Sequence, residues 1–298
     1  MSLEPLTPVT FFPTTSIYSQ VVLKREDLSE TGSHKFRYAK KTLEELKASD
    51  VKSVVLSTTG NAGITLSHYG KALGIKVICL MSDRGDLSKA AQIEQEGGIV
   101  IVSSRPVRFS KYLAKKYEMP LLRVSQDEES VAAYRSLGAE IRQQVPEADA
   151  IVNFASSGAS SLGIAQAYDQ LPALHIAQTG RSTSIVKALH PDSVPDSDAA
   201  GLEDTPYREA LLKVIRQSGG DAWYISPEEQ QKAADILAEF DIETSMESLC
   251  SFATALKIRD RYQQIVVVLS GRRWPSVDFS PSHTAESFAD LDALMQAL

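Results

Sequence analysis

The chain has 298 residues, 43% of them hydrophobic and 23% charged, with a formal net charge of −7. That length allows one large or two medium domains around a sizeable core, and the composition is that of an ordinary globular protein. The acidic balance argues against a general binder of nucleic acid or anionic membrane, and no apolar run approaches the roughly 20 residues of a membrane helix.

Residues 1–10 show no basic stretch followed by an apolar one, so no signal peptide is expected. Candidate strands follow at Val21–Leu23, Ser53–Ser57, Val77–Met81, Ile99–Ser103, Ala150–Asn153, Leu174–Gln178, Ala222–Ile225 and Ile265–Leu269. Several are apolar throughout rather than alternating, as expected where helices cover both faces of a parallel sheet. Helical patterns lie between them at Lys40–Ala48, Leu87–Glu96, Ser130–Gln144, Pro227–Phe240 and Ser248–Arg261. Ser226 before Pro227, Glu228 and Glu229 is a helix start signal. The alternation predicts an α/β fold with largely parallel sheets.

Residues 189–206 hold three prolines and five acidic residues without an apolar period, and are expected to form a solvated loop or a mobile cover. Phe288, Leu291, Leu294, Met295 and Leu298 share one helical face, a stripe suited to core or dimer packing. The two cysteines, Cys79 and Cys250, lack CxxC partners and neighbouring histidines. They read as buried thiols of a reducing compartment, so the expected location is cytoplasmic. The five histidines are scattered, and no metal site is expected.

Four turns carry the chemistry, and each directly follows a candidate strand. The first leads through Thr31-Gly32-Ser33 to Lys35 at the start of a helix, with Ser33 as the expected cap. A lysine in a first helical turn faces the positive end of the dipole, which disfavours its charged form and favours a nucleophilic amine. The second turn is Ser57 to Gly63 (STTGNAG), a hydroxyl- and glycine-rich entry to a helix that suits an anion such as a carboxylate. The third is Ala155 to Gly163 (ASSGASSLG), whose small residues allow backbone amides close to a phosphate. The fourth is Ser270-Gly271. In open α/β sheets, ligands bind at the carboxyl ends of strands, where all four lie. The G-x-G-x-x-G and G-x-x-x-x-G-K-[ST] phosphate motifs are absent, which counts against nucleotide chemistry.

With these motifs the chain resembles the pyridoxal phosphate (PLP) dependent enzymes of the tryptophan synthase β fold, fold type II. That family includes threonine synthases, serine and threonine dehydratases and cysteine synthases. Its K-x-E-x-x-x-x-T-G-S-x-K-x-R segment is matched by Lys24 to Arg37, and its S-x-G-N-x-G loop by Thr58 to Gly63. The motif order is also the family's, and the resemblance spans roughly residues 14–275. It implies two three-layer α/β domains with the cofactor between them. Residues 1–47 with 136–298 would form the larger domain, and 48–135 an inserted smaller one.

By position, the resemblance implies that Lys35 forms the Schiff base with PLP and shuttles the substrate α-proton. Asn61 would bond the cofactor's 3′-oxygen, and Thr58, Thr59 and Ala62 would surround the substrate carboxylate. Ser157, Gly158, Ala159, Ser160 and Ser161 would cradle the phosphate, and Ser270 would face the pyridine nitrogen. Two departures stand out. Gly158 is the one glycine of the phosphate loop before Leu162, so serine hydroxyls are expected to replace glycine flexibility. Arg272-Arg273 stands where the family often has glycine and asparagine.

A neutral hydroxyl at the ring nitrogen makes a weaker electron sink than a carboxylate, which suits β-elimination or β-replacement on a small amino acid. Such an enzyme, as a homodimer, is one expectation. A non-catalytic PLP-fold protein serving as a binding or regulatory partner is the other.

Overall fold

The computed structural model describes residues 7–298 apart from 85–86, 181, 196–206, 276 and 278. Of the expected loop at 189–206, residues 196–206 therefore lie outside the described residues. The chain divides into two compact units, Met1–His34 with Glu128–Arg273, and Lys35–Asp127 with Trp274–Leu298.

The first unit is built on a six-stranded sheet of β1 (Val9–Phe11), β2 (Val21–Lys24), β6 (Ala150–Phe154), β7 (Ala173–Gln178), β8 (Ala222–Tyr224) and β9 (Ile265–Val268). Their order across the sheet is β1-β2-β9-β6-β7-β8, antiparallel only at the β1–β2 edge. The register sets Leu23 and Val152 on either side of Val267. Successive residues of one strand serve opposite faces, as the pleat requires. Ile151 packs with Leu137 and Ile141 of α5 (Glu128–Gln144) and Ile164 of α6 (Ala159–Ala165). Leu211 and Ile215 of α8 (Arg208–Ser218) complete that side. Val152 packs with Leu237 of α9 (Pro227–Ala238) and Phe252 of α10 (Met246–Ile258). Helices thus cover both faces, giving three layers, with α7 (Ser184–Leu189) beside β8. Each fully buried aliphatic side chain stabilises this arrangement by about 1.5–3 kcal/mol. The start signal at Ser226 is a capping box, with the Ser226 hydroxyl accepting from Glu229 N and the Glu229 carboxylate accepting from Ser226 N.

The second unit holds a parallel three-stranded sheet, β3 (Ser53–Ser57), β4 (Lys76–Ser82) and β5 (Ile99–Ser103). On one face Val55, Ile78, Leu80 and Ile101 meet Phe109 and Leu113 of α4 (Pro106–Lys116). On the other face α2 (Asn61–Leu73) approaches so closely that a Cβ at Gly63 would stand 3.1 Å from Cys79 Sγ. It would stand 2.6 Å from Ile93 of α3 (Ser88–Gln95). The apolar stripe near the C-terminus is core: Phe288, Leu291, Leu294 and Met295 of α11 (Phe288–Ala297) join the first face, while Leu298 is exposed. This unit differs from residues 48–135: it also takes in Lys35–Lys47 and Trp274–Leu298, because α1 (Phe36–Ala48) packs on α2 and α11 closes the β3–β5 face, and it leaves Glu128–Arg135 to the first unit.

Cys79 and Cys250 are free and buried, and burial pushes both thiols up to about 12. Among the described residues no helix is long and apolar enough to cross a membrane. No group of three or more histidine, cysteine or acidic side chains among them is placed to hold a metal.

Candidate functional site

In the first unit, β9 lies between β2 and β6 in a parallel arrangement. The segments that leave the carboxyl ends of these strands are therefore neighbours at one edge of the sheet, where α/β folds place ligands. They are the turn after β2 that runs to His34, the Ser157–Ser161 loop after β6, and Ser270 after β9.

Ser270 is 6% exposed and is fixed on both sides. Its carbonyl accepts from His34 twice, from the backbone N and from ring Nδ1, each at 2.9 Å. The carbonyl of Gly271 accepts from Ser245 N and Thr244 Oγ1 at 2.9 Å and from the Ser248 hydroxyl at 3.2 Å. The Ser270 hydroxyl itself bonds to no described residue. Arg272 adds a further clamp. Its N donates to the Gly32 carbonyl at 2.8 Å, and its side chain crosses Gly32 where a Cβ would come within 2.5 Å. Gly32 has φ +66, so glycine is required there on both counts.

Lys35 follows His34 in the chain and caps α1 in the second unit, with its carbonyl accepting from Ala39 N at 3.0 Å. Ser33 is not the cap. Its N accepts no helical role and donates to the Ser29 hydroxyl at 2.9 Å, while its backbone bridges Gly271. The helix starts at Phe36, in line with Lys35 at its entry and four residues ahead of the Lys40–Ala48 pattern, because Phe36, Tyr38 and Ala39 carry its buried face.

In the Ser157–Ser161 loop Gly158 alone has positive φ, +89. Ala159, Ser160 and Ser161 are helical and unstrained, so the missing glycines cost no backbone strain. Asn153, 1% exposed in β6, donates from Nδ2 to the hydroxyls of Ser160 at 3.0 Å and Ser161 at 2.9 Å. Neither hydroxyl donates to another described residue. This donor set fits a phosphate monoester, which is acceptor-rich and anionic. The half-buried Ser157 accepts from Ala159 N at 3.4 Å.

In the second unit Thr58 Oγ1 accepts from Gly60 N at 3.0 Å and Gly63 N at 3.3 Å, tightening the turn into α2. Gly60 has φ +133, and Lys89 lies where its Cβ would be. Helix geometry leaves the N–H groups of Asn61 and Ala62 without intrahelical partners, a pair of donors suited to a carboxylate. Thr59 is exposed and Ala62 is buried. Asn61 Oδ1 accepts from Trp274 Nε1 at 3.2 Å, which leaves its Nδ2 to donate to an oxygen such as a phenolate.

Each unit thus brings together its own share of the predicted residues: Ser157 to Ser161 with Ser270 in one, Thr58 to Ala62 in the other. Asn153, Trp274 and the Ser270 contact of His34 were missed in the sequence. The polar Asn153 within the apolar run of β6 was a signal that could have been used.

Comparison with known proteins bears on this arrangement. A family model described as pyridoxal-phosphate dependent enzyme matches residues 3–271. A putative threonine dehydratase of Sinorhizobium fredii is 30% identical over 51% of this chain and 48% of its own length. Cysteine synthase 3 of Caenorhabditis elegans is 32% identical over 42% of this chain and 41% of its own. The matched part of the chain thus spans about half the length, or less, of these curated relatives. Among solved structures, maize serine racemase aligns with a TM-score of 0.76 over 98% of this chain and 92% of its own, at 20% identity. That likeness speaks for the fold alone. The match of the family model over most of the chain, on a three-layer α/β fold, makes this chain a member of the pyridoxal-phosphate dependent enzyme family.

Proposed function

We propose that this protein catalyses β-elimination or β-replacement on a small amino acid, with PLP as cofactor. When bound, PLP withdraws electrons from the substrate α-carbon. In this reading Lys35 binds the cofactor aldehyde through Nζ and moves the α-proton. Asn61 donates to the 3′-oxygen, and the α2 entry at Thr58, Thr59 and Ala62 orients the substrate carboxylate. Residues 157–161 hold the phosphate.

The observation that carries the choice of reaction is Ser270, whose carbonyl is fixed by His34 and whose neutral hydroxyl bonds to no described residue. A hydroxyl does not hold a pyridine nitrogen protonated as a carboxylate would, so departure of a β-substituent is favoured over transamination. The similarity to a putative threonine dehydratase makes serine and threonine the first substrates to try.

The test is reconstitution with PLP, borohydride reduction and mapping of the modified peptide, followed by assays for 2-oxo acid and ammonia from serine, threonine and β-substituted alanines. Reduction should label Lys35. Lys35→Ala should abolish turnover with the fold intact, since alanine is tolerated at a helix entry. Turnover retained by that variant would refute the assignment of Lys35.

A further inference from the structure

We propose that Asn153 is a positioning residue that holds the Ser160 hydroxyl as a hydrogen-bond donor to the phosphate of the cofactor. The proposal rests on reading residues 157–161 as the phosphate loop, and it concerns how this chain makes that site with one glycine.

Asparagine is unexpected in the middle of a covered sheet, where a polar group without hydrogen bonds is costly. Strand alternation puts Asn153 on the same face as Ile151, which packs under α5 and α6. Its Nδ2 carries two hydrogens, and the two bonds to Ser160 and Ser161 use both. Each serine oxygen thereby accepts from Asn153, so its own hydrogen must point away from the amide. Serines in a helix often return that hydrogen to the carbonyl four residues earlier. Here neither does so, nor does either donate to any other described residue.

The two serines differ in access. Ser161 is 0% exposed, so its oxygen serves to anchor the amide. Ser160, 9% exposed, sits at the rim and is the donor that a ligand can reach. A buried donor lacking an acceptor is an unfavourable state, and a dianionic phosphate oxygen relieves it with a stronger bond than a neutral acceptor would. In this way a fixed hydroxyl takes over from the flexible backbone amides of a glycine-rich loop. A purely structural Asn153, by contrast, would matter equally for any ligand or for none.

The experiment is equilibrium dialysis of the purified chain against PLP and against pyridoxal, which lacks the phosphate. Asn153→Leu, which nearly keeps the shape but removes both donors, should weaken PLP binding about tenfold and leave pyridoxal within about twofold. Ser160→Ala should do the same, and the combined variant should be no weaker than either alone, because both changes remove one contact. Should Asn153→Leu fail to fold, Asn153→Asp decides: its carboxylate would accept from Ser160, turn the hydroxyl inward and produce the same selective loss. Unchanged PLP affinity in a folded variant, equal losses for PLP and pyridoxal, or multiplying effects in the combined variant would each overturn the role of Asn153. A wild type that binds no PLP would sink the proposed function together with this inference, whereas a wild type that binds PLP regardless of Asn153 would sink only this one.

Discussion

Lys24 Nζ lies 2.7 Å from Glu140 Oε2, with the lysine side chain wholly shut off from water and the glutamate 8% exposed. The ammonium also donates to the Thr7 carbonyl at 2.7 Å and to Gln144 Oε1 at 2.8 Å, so each of its three hydrogens has an acceptor. This knot ties the end of β2, just before the turn to Lys35, to α5. Removing one partner of a buried pair leaves an uncompensated charge, whereas removing both need not. Lys24→Met should therefore destabilise the protein by about 3–5 kcal/mol, and Lys24→Met with Glu140→Leu should recover most of the loss. Urea unfolding of the three proteins measures both effects, and equal destabilisation by the single and double changes would contradict this account.

Trp274 should matter for cofactor affinity through Asn61. Trp274→Phe keeps an aromatic ring in place but deletes the Nε1–H that holds Asn61 Oδ1. Loss of one hydrogen bond of this kind is worth about 1 kcal/mol, so PLP should bind about fivefold more weakly. Titration of PLP absorbance checks this, and an identical affinity would show that Asn61 does not depend on the indole.

Ser270→Asp tests the neutral partner of the ring nitrogen. A carboxylate there would keep that nitrogen protonated, strengthen the electron sink and turn products toward racemisation or transamination. Chiral analysis of recovered amino acid, alongside 2-oxo acid assay, reads the change. The same product distribution in both proteins would remove the basis for preferring elimination.

Acid should destabilise the fold through His175. Burial pushes its imidazole down to about 4 from 6.5, against the attraction of Asp221. Trp223 Nε1 donates to Nδ1 at 3.2 Å, so Nε2 carries the hydrogen that meets Tyr262 Oη at 2.9 Å. Protonating Nδ1 would break the tryptophan bond. The unfolded chain takes up this proton near 6.5 and the folded chain only near 4, so stability falls as pH drops through that window. The share of His175 is about 3 kcal/mol. Chemical unfolding at pH 7 and pH 4.5 should show a smaller acid loss in His175→Gln than in wild type.

Much of the sheet structure was open to sequence reading because parallel strands covered on both faces leave continuous β-branched runs, as in Ile265–Val268. The strand Val9–Phe11 escaped because it is a three-residue edge strand, half exposed and lodged between prolines. The turn through Thr31-Gly32-Ser33 placed the entry of α1 at Lys35, while the periodic pattern was legible only from Lys40 because Phe36 and Arg37 carry no helical signal until their burial is known. Residues that share one turn can be grouped from local spacing, as with Thr58 to Gly63. Trp274 with Asn61, 213 residues apart, cannot. Asn153 lies only seven positions from Ser160, yet its meaning depends on which strand face α6 covers.

The position of β9 has a consequence for biosynthesis. Among the described strands it is the last made, yet it is the only link between β2 and β6. A ribosome adding about 5–20 residues per second needs on the order of ten seconds or more to pass from β2 to β9. Until then β2 and β6 each present an unpaired hydrogen-bonding edge, which is a template for aggregation. The sheet β3–β4–β5, paired in the order of synthesis, has no such wait. A nascent chain stalled before Ile265 would thus carry one sheet ready to form and another still split in two, with Ser270 not yet made and the Ser160 loop separated by the gap from the turn after β2.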